Sequence, residues 1–485
     1  MGEEHAGTAV RRDRFTGGPA RGFLSSMRED RRIFAADLAV DRAHVTMLAE
    51  QGIVEEGEAE TILEGLDEVE AQGFDALPDG EDVHEAIETA VIDLVGDVGG
   101  KMHTARSRND EVAACLRYAL REDVLEAVEG TLALREMLSG VAERENETLM
   151  PGYTHLQPAQ PITVAHWALS YESAVARDTE RLFDAYERTN LSPLGAAAFA
   201  GTPFDVDRER TADLLGFEEV IENSMDASSG RDFLVETTAA VATLATTLSG
   251  LAEDLILFSN RGYVSLDDDY ASTSSIMPQK VNPDTLELVR STAGDASAGL
   301  NGLLTTLKGL PRAYNRDLQS AHPHAFSAAD GVTEATEVAA GAVATATWNG
   351  GVLAEAASEG FSTATGVADL LAASGLPFRT AHELVALAAE RSVGTPGYGE
   401  LEEASEEVLG ESLSAHVERE AVEAALDPAE SVASRDSTGG PAPDAVSGAL
   451  GRVGEGLEAD RRALSERRSA LASAREELEE VSRRD

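Results

Sequence analysis

Residues 274–284 read SSIMPQKVNPD, with two serine hydroxyls, a lysine and an Asn-Pro-Asp turn. The chain has three lysines among its 39 basic residues, so a lysine here needs a reason. Asn282 and Pro283 are the residue types of a helix N-cap and first helical position. A helix N-terminus presents free N–H groups and partial positive charge, which attract anions. With Lys280 before it and Ser274 and Ser275 beside it, this is a candidate carboxylate-binding loop. A Ser-rich connector with a surface lysine is the plain alternative.

Three other polar stretches have similar character. KMHTARSRND (101–110) sets Arg106 and Arg108 beside Asn109. Guanidinium groups take carboxylates through paired hydrogen bonds, although a solvated turn would also carry such arginines. MPGYTHLQPAQP (150–161) holds Thr154 and His155. An imidazole titrates near neutrality and suits general acid or base work; a hydrogen-bonded loop histidine is the ordinary reading. LKGLPRAYNRDLQ (307–319) adds Tyr314 and Gln319. Lys101, Lys280 and Lys308 all lie in or beside these stretches. Where lysine is depleted, the survivors are those whose replacement by arginine fails. No HxxxH, CxxC or HExxH spacing appears, and His322 and His324 flank a proline, so no metal is expected. Phosphate-loop, dinucleotide and GxSxG signatures are absent too.

The elements between these loops are helical. Apolar residues recur at three- and four-residue intervals over 34–54 and 58–73, with a loop at 75–83. Few breakers interrupt 111–147, 161–190, 228–260 and 284–308. The expected fold is all-α, built on a bundle of long helices. Three blocks follow: an N-terminal helical domain over 1–108, a central bundle over 109–355, and a small helical domain with a charged tail over 356–485. Small residues on several faces, as in TTAAVATLATTLSG (237–250), point to packing against other subunits. Turn residues break the chain at 436–446, and the tail alternates acids and arginines like a solvated helix.

Composition narrows the function classes. Against 88 acidic residues the net charge is −49, which repels nucleic acid and anionic membrane surfaces. Such a charge is tolerated where roughly molar salt shortens the Debye length to about 3 Å, and with lysine depletion it reads as salt adaptation. Cys115 is the single cysteine, in keeping with a reducing cytoplasm. The first twenty residues are polar and Gly-rich, a loose arm rather than a signal peptide. Residues 239–258 are the most apolar run, but Glu253 and Asp254 make them a buried core helix.

Taken together, SSIMPQKVNPD resembles the mobile-loop motif of the fumarase/aspartase superfamily, and HTARSRND and PGYTHLQPAQP resemble its two companion regions, in order. Gln279 before Lys280, with SRND, GYTHLQ, NSMDASSGRDF (223–233), AEDLILF (252–258) and LKGLPRAYNRDLQ, is similar to the argininosuccinate lyase branch. The resemblance runs from about Phe23 to about Gly440. It implies an all-α, three-domain fold in a homotetramer, with a twenty-helix core and active sites shared by three chains. It also implies reversible β-elimination of argininosuccinate to arginine and fumarate, without metal or organic cofactor. Ser274 and His155 match the catalytic pair, and Glu287 the glutamate that orients the histidine. Lys280 and Asn282 match groups facing substrate carboxylates and the carbanion-like intermediate. Ser26, Arg108, Asn109, Thr154, Tyr314 and Gln319 match substrate-binding positions. Which of Ser274 and His155 is base and which acid stays open. Thr273 replaces the usual glycine before the serines, His322 stands where a lysine is common, and the tail runs longer. Adenylosuccinate lyase, fumarase and aspartase are the alternatives within the superfamily, and a catalytically silent structural protein, as in the related lens crystallins, is the alternative outside catalysis.

Overall fold

The computed structural model describes residues 20–483, so the loose arm expected over the first twenty residues lies almost wholly outside them. Phe34–Glu50 (α1), Glu56–Gln72 (α2) and Val83–Val95 (α3) form an N-terminal layer. Gly73 ends α2 with φ +77, a conformation that favours glycine. Asp82 caps α3 by accepting the Glu85 N–H at 2.8 Å. A 3₁₀ segment, Gly96–His103, leads into Arg108–Arg144 (α4). A capping box starts α4: the Ser107 hydroxyl accepts from Asn109 N, and the Asp110 carboxylate accepts from Ser107 N at 3.0 Å.

Leu149–Thr154 (β1) and Gln157–Thr163 (β2) pair as an antiparallel hairpin that turns the chain into Val164–Thr189 (α5). Asp232–Asn260 (α6), Asp284–Leu307 (α7) and His322–Thr345 (α8) complete five long helices. They run up and down beside one another and therefore have two shared ends. At one end Arg117 near the start of α4 donates to Arg188 O at 2.7 Å and stacks on Phe233 at the start of α6. At the other, Arg290 near the start of α7 pairs with Glu253 near the end of α6 at 2.5 Å. With 29 residues, α6 separates these ends by about 44 Å. It is also the one helix among the described residues long and apolar enough to cross a membrane, yet it packs within the bundle, and its Asp254 accepts from Trp167 Nε1 and Tyr171 OH.

Two expectations need correction. Asn282 does not cap α7: Ser272–Thr273 pairs with Val281–Asn282 in a short antiparallel ladder, so Asn282 is held extended and the helix starts at Asp284. The tail, expected as a solvated helix, is Pro443–Ser482 (α9), with one edge buried. Leu457, Leu464, Leu471 and Leu478 recur every seven residues and join the main core. Beside this seam Arg461, Arg468 and Arg475 pair with Glu136, Glu129 and Glu122 of α4, an antiparallel ladder in the same register. The alternating charges are its outer face. The main core takes in the N-terminal layer, the bundle and the leucines of α9, from Ile33 to Leu478, while a second core gathers residues between Val367 and Val422.

Candidate active site

Ser26, Arg108, Asn109, Tyr314 and Gln319 line one cavity of about 160 Å³ at the bundle end where α4 begins. The start of α4 supplies Arg108 and Asn109, and the segment between α7 and α8 supplies Tyr314 and Gln319. Gln319 Nε2 donates to Leu24 O at 3.1 Å, which ties this segment to the chain before Ser26. Arg108 pairs with Asp82 at 3.3 Å. Thr154, His155, Ser274, Lys280, Asn282 and Glu287 do not join them: all six lie at the far end of the bundle. Thr154 and His155 occupy the exposed tip of the β1–β2 hairpin, where His155 and Leu156 have φ of +56 and +58. Glu287 is exposed on the first turn of α7, and no hydrogen bond or ion pair joins it to His155 within the chain.

Residues 274–280 form a tight loop above the Ser272–Asn282 ladder. Ser274 N donates to Lys280 O at 3.1 Å and Lys280 N to Met277 O at 2.9 Å. The Ser274 hydroxyl oxygen accepts from Met277 N at 3.1 Å and Ile276 N at 3.4 Å. Two backbone donors thus converge on Oγ and stabilise negative charge there. Lys280 is exposed.

Sequence reasoning missed Asp30, His84 and Arg231 on the cavity wall, whereas it had singled out His322 on that wall and Arg106 behind it. Asp30 accepts from the Ser26 hydroxyl at 2.6 Å and from Val83 N at 3.3 Å, and burial pushes its carboxyl up to about 6. Burial alone would lower His84, but Asp37 at 2.8 Å and Glu111 at 3.7 Å reverse this and push it up to about 10. It is therefore an imidazolium at neutral pH. Behind it Arg106 lies between Asp41 at 2.6 Å and Glu111 at 3.0 Å, all fully buried. The carboxylates of Asp37, Asp41 and Glu111 lie close enough together to hold an ion, but Arg106 already pairs with Asp41 and Glu111, and His84 with Asp37. Arg231, 3% exposed, keeps its charge although burial lowers it to about 10, and its Nε and Nη2 have no partner. His322 is on the same wall; burial, then Arg231 and His84, push it down to about 4, so it is neutral at pH 7. No local spacing marked Asp30, His84 or Arg231 in the sequence. Arg231 and His84 are recruited from helix starts far apart in the chain.

A family model described as lyase matches residues 20–297, and one described as argininosuccinate lyase C-terminal matches residues 361–433, which contain the second core. Argininosuccinate lyases of the halophilic archaea Natronomonas pharaonis and Halobacterium salinarum are 72% and 66% identical, over 97% and 94% of this chain and 96% and 94% of theirs. That of Methanosarcina acetivorans is 46% identical over 97% of this chain and 98% of its own. Among solved structures, EDDS lyase in complex with formate has a TM-score of 0.86 and 34% identity, covering 96% of this chain and 95% of that one. A class II fumarase from Schistosoma mansoni, 16% identical with a TM-score of 0.71 over 83% of this chain and 92% of its own, shares the fold.

Proposed function

The chain belongs to the argininosuccinate lyase family, and we propose that its active site is completed between subunits of a homotetramer. The reaction is reversible β-elimination of argininosuccinate to arginine and fumarate, the last step of arginine biosynthesis. One observation carries the proposal for the site. The cavity with Ser26, Arg108, Asn109, Tyr314 and Gln319 lies at one end of the bundle, while Ser274 and His155 lie at the other, about 44 Å away. Proton transfer needs contacts of about 3 Å. A second and a third copy, packed antiparallel along the long helices, would bring opposite ends together.

In this reading the cavity binds the amino-acid part of the substrate. Asp30 and Glu81 offer negative charge to its cationic groups, and Arg231 and Arg108 offer donors to its carboxylates. Ser274 and His155, from other copies, flank the succinyl part. A proton leaves the carbon beside a succinyl carboxylate, whose oxygens take the charge as an aci-form. The C–N bond then breaks, its electrons stay on the guanidine nitrogen, and that nitrogen gains a proton. Lys280 and Asn282 meet the aci-carboxylate, where one preorganised donor is typically worth about 10²–10³ in rate. The Met277 and Ile276 amides favour Ser274 as the alkoxide base. His155, oriented by Glu287, then serves as the acid. Closure of the exposed 274–280 loop would exclude water. A reducing cytoplasm suits the buried thiol of Cys115.

The test is fumarate release from argininosuccinate, followed by absorbance in about molar potassium chloride, which screens the acidic surface. EDDS, adenylosuccinate, malate and aspartate run in parallel. Turnover of argininosuccinate alone supports the reading; turnover of another compound in its place, or of none by assembled protein, overturns it.

A further inference from the structure

His155 stands on a turn that its own hairpin holds poorly. It and Leu156 are consecutive non-glycine residues with positive φ, +56 and +58. Each such residue costs about 1–3 kcal/mol and persists only where its surroundings impose the conformation. Two-residue turns of this hand normally use Asn-Gly. The ladder below offers little help, because Pro151, Pro158 and Pro161 have no N–H to give and the register slips between Pro151 and Tyr153. Packing is thin as well. A cavity of about 180 Å³, walled by Leu156, Trp167, Phe258 and Arg261, separates the hairpin from the bundle end, and Leu156 is 64% exposed.

The base of the hairpin is packed, with Met150 buried and Gly350–Ser358 against β1, and nearer the tip the tie to the bundle is a tyrosine pair. Tyr153, two residues before His155, shares a hydroxyl–hydroxyl hydrogen bond of 2.7 Å with Tyr263. The Arg261 guanidinium lies over the Tyr153 ring, 4.4 Å from its centre. Tyr263 is itself immobilised on the bundle. Its N–H donates to Phe258 O at 2.9 Å, its carbonyl accepts from Asn349 N at 2.8 Å, and its ring lies beside that of Phe258. We propose that the Tyr153–Tyr263 hydroxyl pair, with Arg261 stacked on it, is a positioning clamp that holds the strained Thr154–His155 turn in its reactive orientation. In this role both tyrosines act through His155 and not on substrate. The proposal rests on the reading of His155 as a participant in the lyase reaction.

Tyr153→Phe and Tyr263→Phe remove only hydroxyl groups, and both are made in the full chain at high salt. Two readouts are compared: backbone hydrogen exchange of the 149–163 segment, and kcat against KM for argininosuccinate. In Tyr153→Phe the clamp predicts exchange at least tenfold faster in the hairpin, with the start of α4 unchanged. It predicts kcat down about tenfold with a smaller rise in KM, because Thr154 is on the turn while the other substrate-binding positions in the cavity are untouched. The double variant is no slower than the slower single, since both lose the same bond. Unchanged hairpin exchange, kcat retained within twofold, or a rise confined to KM would each overturn the proposal. Absence of turnover by the wild-type chain would refute the lyase reading, and hairpin exchange would still decide whether the clamp exists.

Discussion

His84 is a buried cation on the cavity wall, and its charge makes the fold's stability depend on pH in a defined direction. Burial opposes the charge, but Asp37 and Glu111 raise its pKa from 6.5 to about 10. A group raised on folding contributes stability that is complete below its unfolded value, here 6.5, and is lost as pH rises through about 10. At about 1.4 kcal/mol per pKa unit, the whole contribution is about 5 kcal/mol, of which about 2 kcal/mol disappears between pH 7.5 and 9. Asp30 and Asp41, raised to about 6, and Glu88 and Asp110, raised to about 7, have the same sign but are spent by about pH 8. Cys115, whose thiol burial raises, adds a slope only above its unfolded value of 9. The perturbation is His84→Asn, and the assay is urea unfolding at constant potassium chloride, followed by the fluorescence of Trp167 and Trp348. Wild-type stability should fall by about 2 kcal/mol across the window and the variant's should be nearly flat. His84→Lys, which keeps the charge, should also be flat and should recover part of the stability lost at pH 7.5. Parallel curves for wild type and His84→Asn would refute the reasoning, because His84 would then be neutral in the fold.

Arg231→Met should raise KM for argininosuccinate by about 10–100-fold, the worth of a charge-assisted hydrogen bond, with a smaller change in kcat; equal losses in both would place Arg231 at the reacting atoms instead. Leu471→Ala, which empties a buried position on the α9 seam, should cost about 2–5 kcal/mol by urea unfolding and leave kcat of the folded enzyme unchanged. A Leu471→Ala protein as stable as wild type would mean that the tail is not part of the core. Lowering potassium chloride from about 1 M to 0.1 M lengthens the Debye length from about 3 to 10 Å and should lower the melting temperature. A melting temperature independent of salt would contradict salt adaptation.

The helices were legible because their apolar spacing is local. The expected 34–54, 161–190 and 228–260 became Phe34–Glu50, Val164–Thr189 and Asp232–Asn260. The breaks between helices were legible because proline, glycine and hydroxyl residues cluster there, but 150–161, read as a loop, folds as the β1–β2 hairpin. What escaped was long-range. Asp37, Asp41 and His44 share a face of α1 that local polarity would assign to solvent, yet all are buried. Their partners, Arg106, His84 and Thr104, come from other parts of the chain. Asn282 looked like a cap because its ladder partner, Ser272, lies ten residues earlier. The tail's leucine seam was masked by the charges that flank it. Cavity residues such as Arg108 and Gln319 were found through their motifs, whereas Arg231 became visible only when the start of α6 met the segment between α7 and α8.

The central claim is that the cavity of one chain works with Ser274 of another. Two proteins test it: Ser274→Ala, which lacks the loop hydroxyl, and Asn109→Ala, which is altered at the cavity. Each alone should have little activity. Assembled together in equal amounts, half of the loops and half of the cavities are intact, so about a quarter of composite sites are fully native in a randomly mixed closed oligomer. Recovery of roughly that fraction of wild-type kcat is the predicted result. A mixture no more active than its two parents, or full activity in a monomer, would contradict the account.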